Sequence, residues 1–132
     1  MKIVITSSDT DLDAPTSPVF ARCPVYVLVD TETMRFEALE NPEISALRGA
    51  GFHTPEFIVE RGAQAVVTGN VGPNAFGVLQ DLGVPVYLFG GGTVREAIEA
   101  YKAGRLQPVE GASVPTQSGR TRIEASDDWY DW

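Results

Sequence analysis

The sequence predicts an α/β protein, with five strands in a mixed sheet and helices on its flanks. Three observations carry this reading. Short β-branched runs recur, at "KIVIT" (2–6) and "VYVLVD" (25–30) among others. From about residue 54, strand and helix signals alternate, which implies parallel strands joined by right-handed crossovers. Glycine-rich turns precede each of the last two helix signals.

The elements follow in order. "KIVIT" reads as a buried strand. Residues 7–24 are polar and proline-rich and read as a long loop, a feature that often accompanies function in compact domains. "VYVLVD" is the second strand, "TETM" a turn, and "RFEALEN" (35–41) a more polar third strand suited to a sheet edge. A helix is expected over about 54–61, capped by Thr54 with Pro55 in its first position. "QAVVTG" (64–69) is a strand. "PNAFGVLQDLG" is a helix with Ala75, Phe76, Leu79 and Leu82 on one face. "VPVYLF" (84–89) is the last strand. In "TVREAIEAYKAG", Thr93 and Glu96 make a capping box, and Val94, Ala97, Ile98 and Tyr101 form the apolar stripe. Beyond 107 the apolar residues thin out. The chain therefore divides into an α/β domain over 1–107 and a flexible acidic-aromatic tail over 108–132, ending "WYDW".

Bulk properties narrow the function. The chain has 132 residues and a net charge of −8, which disfavours duplex nucleic acid as a partner because phosphate neutralisation dominates that binding. A small anion in a locally positive pocket is still compatible with it. The single cysteine, Cys23, permits no internal disulfide and suits a reducing compartment. The apolar run in "MKIVITSSDTD" is shorter than a signal-peptide core, and no window approaches the ~20 apolar residues of a membrane span. A cytoplasmic protein with no membrane partner is expected.

If the first three strands form an antiparallel meander, strands one, three, four and five run the same way. Their carboxyl ends then share one sheet edge, where open α/β sheets bind ligands. Cys23, just before strand two, His53, "GNVGPN" and "GGGT" all fall at that edge. Each glycine-rich turn leads into a helix N-terminus, which favours an anion. The dipole contributes only about 0.3–1 kcal/mol per helix end. Direct N–H bonds to a charged guest add ~1.5–3 kcal/mol each.

The motifs also have plainer readings. "GNVGPNAFG" lacks the Lys and Ser/Thr of a P-loop and could be only a tight strand-to-helix turn. Its pairing with three successive glycines in "FGGGT" favours a ligand. Cys23 could be a small residue at a strand start, or a metal thiolate helped by the charge of neighbouring Arg22. One thiolate cannot fill a coordination shell, so other donors would come from His53, a second chain or a cluster's own sulfides. His53, the only histidine, could equally be structural. "DTDLDA" (9–14) resembles the opening of a calcium loop. Ala14 and Phe20 stand where such a loop needs glycine and glutamate, so it reads as a solvated acidic loop.

On these residues the chain resembles the dinitrogenase iron–molybdenum cofactor biosynthesis family, the stand-alone NifX-like and NifB C-terminal-like domains. The matching stretches are "SPVFARCPVYVLVD", "ENP", "GAGF", "TGNVGPNAFGVLQDLGVPVY" and "GGGTVREAIEAYKAGRL". The resemblance implies a ribonuclease-H-like α/β motif with strand order 3-2-1-4-5. It also implies a non-catalytic protein that carries, stores or scaffolds an anionic metal–sulfide cluster. That cluster would be iron–sulfur, an iron–molybdenum cofactor precursor, or the molybdenum–copper sulfide of orange-protein-like members. Cluster donor and acceptor proteins would be its partners. Carried over, Cys23 and His53 are candidate metal ligands. Gly69, Asn70, Gly72, Asn74, Gly90, Gly91, Gly92 and Thr93 are candidate backbone donors to the sulfides. Pro55 departs from the family pattern, which suggests a late start to that helix. Two rival readings are a metal-dependent ribonuclease-H-like hydrolase, for which strand one offers no carboxylate, and an interaction module whose "WYDW" end docks a partner.

Overall fold

The computed structural model describes residues 1–42 and 50–112, with side chains in the first helix described from Thr54 onward. The strands are β1 (Lys2–Ser7), β2 (Val25–Asp30), β3 (Phe36–Glu40), β4 (Ala65–Thr68) and β5 (Val86–Leu88). The helices are α1 (Ala50–Glu60), α2 (Pro73–Asp81) and α3 (Val94–Lys102). The sheet order is β3-β2-β1-β4-β5. β2 is antiparallel to β1 and to β3, whereas β1, β4 and β5 are mutually parallel. The carboxyl ends of β1, β3, β4 and β5 therefore lie beside the start of β2, as the sequence predicts.

β1 is central because it is apolar on both faces. Val4 packs on one side with Tyr26, Leu28 and Val66, beneath Ile58 of α1 and Ala75 and Leu79 of α2. Ile3 and Ile5 pack on the other with Val27, Val29 and Val67, beneath Val94, Ala97 and Ile98 of α3. Alternation along each strand thus makes two cores, one per face.

Three expectations change. The first helix begins at Ala50 rather than near 54, and Pro55 lies inside it. Thr54 is fully buried in the helix and is not its cap. The local Thr-Pro signature is outweighed by packing, since Thr54, Pro55 and Ile58 all turn inward. Leu82 is 41% exposed because it is the C-cap of α2, past the end of the apolar stripe. β5 is shorter than 84–89, and beyond it Val109 donates its N–H to the Val86 carbonyl at 2.8 Å. Pro108 is also bridged to Tyr87. Residues 113–132, including "WYDW", lie outside the described residues. No helix among the described residues is long and apolar enough to cross a membrane.

Candidate functional site

The carboxyl edge is crossed by the loop of residues 8–24, which is pinned at several points. Its Ser17 N–H donates to the Thr6 carbonyl at 2.9 Å, and its Phe20 N–H donates to the Asn70 carbonyl at 2.9 Å. Thr16 donates its N–H to the Gly92 carbonyl at 2.8 Å. Bridges join Pro15 to Thr93 and Val19 to Asn70. The loop therefore ties the two glycine-rich turns together across a stretch of chain ~13 Å long when extended. A buried hydroxyl pair supports it. The Thr6 hydroxyl donates to the Ser17 carbonyl at 2.7 Å and lies 3.0 Å from the Thr68 hydroxyl.

This loop explains Gly69. A Cβ there would lie 2.6 Å from the Pro18 carbonyl oxygen, so the missing side chain admits the crossing backbone. Asn70 turns toward the same carbonyl, with Nδ2 at 3.5 Å. Gly72 is the N-cap of α2 in an extended conformation, with no side-chain cap, and Pro73 contributes no N–H. Asn74 is half-buried in the first turn. The start of α2 thus has no side-chain hydrogen bond from its N-cap residue.

The entrance to α3 is different. Its capping box is complete: the Thr93 hydroxyl accepts from the Glu96 N–H at 3.1 Å, and the Glu96 carboxylate accepts from the Thr93 N–H at 2.9 Å. Val94 and Arg95 donate their N–H groups to the carbonyls of Ala14 and Leu12, at 2.9 and 2.8 Å. The end of α3, Thr93 included, is therefore satisfied by protein. The turn before it is not. Gly90, Gly91 and Gly92 are exposed, and among the described residues none of their N–H groups meets a protein acceptor. Gly92 has φ +140°, and a Cβ there would strike Glu96 and the Phe89 ring. An anion at this edge would meet the glycine turn and the start of α2.

Cys23 lies on the same edge but faces inward. It is fully buried, in the core shared by Phe20, Tyr26 and Ile58. Burial pushes its thiol up to about 12, against smaller opposing hydrogen bonds from the Tyr26 hydroxyl and from the backbone of Ser7, Cys23 and Val25. Burial, not the charge of Arg22, is the largest influence on it. The turn is held firmly. Ala21 has φ +76° and donates its N–H to the Tyr26 hydroxyl at 3.1 Å. Buried Asn41 donates from Nδ2 to the carbonyls of Ala21 and Cys23, at 3.0 and 2.8 Å. Asn41 was missed by the sequence reading, although it lies in the matching stretch "ENP".

His53 falls in the first turn of α1, and its side chain is outside the described residues. Among the described residues, no group of three or more His, Cys, Asp or Glu side chains is arranged to hold a metal ion. Asp9, Asp11 and Asp13 are exposed, and two of them close local turns, at the Thr10 and Asp13 N–H groups. Asp13 pairs with Arg95 at 3.0 Å. This is the solvated acidic loop that the sequence predicts. A concavity of about 580 Å³ lies at the opposite edge of the sheet, where exposed Lys2, Arg35 and Glu37 mix their charges.

Comparison with known proteins agrees with this architecture. The apo form of the orange protein from Desulfovibrio gigas superimposes with a TM-score of 0.81 at 33% identity, covering 86% of this chain and 96% of that one. A candidate NifB protein from Thermotoga gives a TM-score of 0.74 at 38% identity, covering 89% and 98%. An uncharacterised protein of Methanocaldococcus jannaschii is 29% identical over 113 residues, 83% of this chain and 92% of the relative. These similarities support a role in cofactor binding or biosynthesis. The model of the family described as dinitrogenase iron-molybdenum cofactor matches residues 1–104, and the chain belongs to that family.

Proposed function

We propose that the protein is a non-catalytic carrier or scaffold for an anionic metal–sulfide cluster, seated at the carboxyl edge of the sheet and exchanged with donor and acceptor proteins. The observation that carries this reading is the pair of anion-favouring features side by side. The exposed N–H groups of Gly90, Gly91 and Gly92 sit beside the uncapped start of α2, after adjacent parallel strands about 4.8 Å apart. Each N–H that meets a charged sulfide contributes ~1.5–3 kcal/mol, and the helix end adds about 0.3–1 kcal/mol. Such terms orient a guest, and nanomolar retention needs ~12 kcal/mol in all. Metal–ligand bonds would supply the remainder, from His53 and, once its buried side chain turns outward, from Cys23, with the cluster's sulfides completing each metal's shell.

Anaerobic reconstitution with iron, sulfide and molybdate tests the reading. Bound metal and visible absorption are expected. Cys23→Ala should weaken both. Gly90→Asp should also weaken them, because it adds a negative charge where a side chain meets open space. A protein that takes up no metal under any such condition would sink the proposal.

A further inference from the structure

We propose that the outer edge of β3 pairs with the same edge of a second copy of this chain, in an antiparallel two-fold pairing centred on Phe36. β3 ends the sheet, with β2 as its neighbour on the inner side. The Asp30 N–H donates to the Arg35 carbonyl at 2.9 Å, and the Asn41 N–H donates to the Pro24 carbonyl at 3.0 Å. Such bonds alternate along an antiparallel ladder, so the odd-numbered residues of β3 turn their backbone groups to β2. Phe36 and Ala38 therefore direct theirs outward, and among the described residues no strand meets them. An open row of this kind is a template for another strand. The Phe36 side chain is 42% exposed on it.

The side chains select both the occupant and the register. Residues directly opposite each other share a face of the joined sheet, so the two-fold axis passes through one residue of β3. An axis at Glu37 sets that carboxylate against its own copy. An axis at Ala38 sets Phe36 against Glu40 and Glu37 against Leu39. An axis at Phe36 sets ring against ring and Ala38 against Met34, and it places Arg35 opposite Glu37 twice over. Arg35 and Glu37 are exposed, and among the described residues neither makes an ion pair. These charges guard the edge against an arbitrary strand, but they complement a second copy of themselves. A seam over residues 34–38 is short beside the about 800 Å² per partner of a standard interface, so the dimer is weak and concentration-dependent. The two carboxyl edges then face opposite ways and both stay open. No part of this pairing depends on the cargo reading.

Sedimentation equilibrium of the full chain, in low salt and up to millimolar concentration, tests it. The mean mass should rise with concentration toward that of a dimer, and added salt should reduce the rise. Arg35→Glu and Glu37→Arg each set like charges opposite each other at both pairs. Each should weaken self-association about tenfold or more. Mixed in equal amounts, the two variants are complementary again and should associate at least as well as the parent chain. Phe36→Ser should also weaken association, and all three changes lie on exposed positions that leave the fold intact. A parent chain that stays monomeric at millimolar concentration overturns the proposal. So does a dimer that Arg35→Glu leaves unchanged, or a mixture that fails to associate, because either result places the contact on another surface or in another register.

Discussion

The Cys23 thiol and the Tyr26 phenol are two acids held in their neutral forms by burial, so alkali must act on the fold through them. Cys23 moves from an ordinary 9.0 to about 12 in the folded chain. Its contribution is complete below pH 9 and is lost as pH rises through the window from about 9 to 12, because the unfolded chain releases the proton first. Tyr26 adds to the loss above its ordinary 10.0. Urea unfolding between pH 8 and 11 should show stability falling by about 1.4 kcal/mol per pH unit for each group engaged. Cys23→Ala should flatten that slope by about one proton, even though the cavity it leaves lowers stability at neutral pH. An unchanged slope would mean the thiol is not held protonated. The glycines divide in the same physical way. Gly69→Ala forces a Cβ against the Pro18 carbonyl and should cost about 1–3 kcal/mol in urea unfolding, with or without a guest. Gly90→Asp meets open space and should leave stability within about 0.5 kcal/mol. A stability loss at Gly90 as large as that at Gly69 would contradict this division.

At the scale of elements, α3 was legible because its signals are local. Thr93 and Glu96 lie three residues apart and close the predicted capping box, and Val94, Ala97 and Ile98 bury as the period requires. Thr93→Ala removes the acceptor for the Glu96 N–H and should cost about 1 kcal/mol, measured as a lower Tm with far-UV helicity retained. A Tm equal to that of the parent would show that the loop contacts of Val94 and Arg95 suffice to hold the helix end. The start of α1 was misread for the opposite reason. Thr54-Pro55 has the form of a cap and first helical residue, but the sheet takes Thr54 and Pro55 into its core, and an earlier turn forms at the cost of one backbone bond. No window of sequence around 54 contains that information.

For the whole molecule, strand direction was enough to bring Cys23, the two glycine turns and the first helix to one edge. What occupies that edge was not legible. The loop of residues 8–24 crosses it through backbone contacts such as Ala14 to Val94 and Leu12 to Arg95, across some 80 residues of chain, and carbonyls leave no trace in composition. For the same reason Gly69 read as a ligand contact when its neighbour is Pro18, and the burial of Cys23 was invisible. The outer limit of the fold follows the same logic. β5 is an edge strand, and the residues after α3 return to cover it, with Val109 bonded to Val86 and forming one wall of a hollow of about 340 Å³ lined also by Phe76 and Val84. A chain ending at Ala112 should therefore unfold within about 2 °C of the full chain, because its β5 edge is still paired. A chain ending at Leu106 loses that bond and the Val109 side chain together. It should lose about 1–2 kcal/mol, or roughly 4–10 °C in Tm, by thermal unfolding at equal concentration. Equal melting of the two truncated chains would place the end of the fold before 107 and make the β5 cover dispensable.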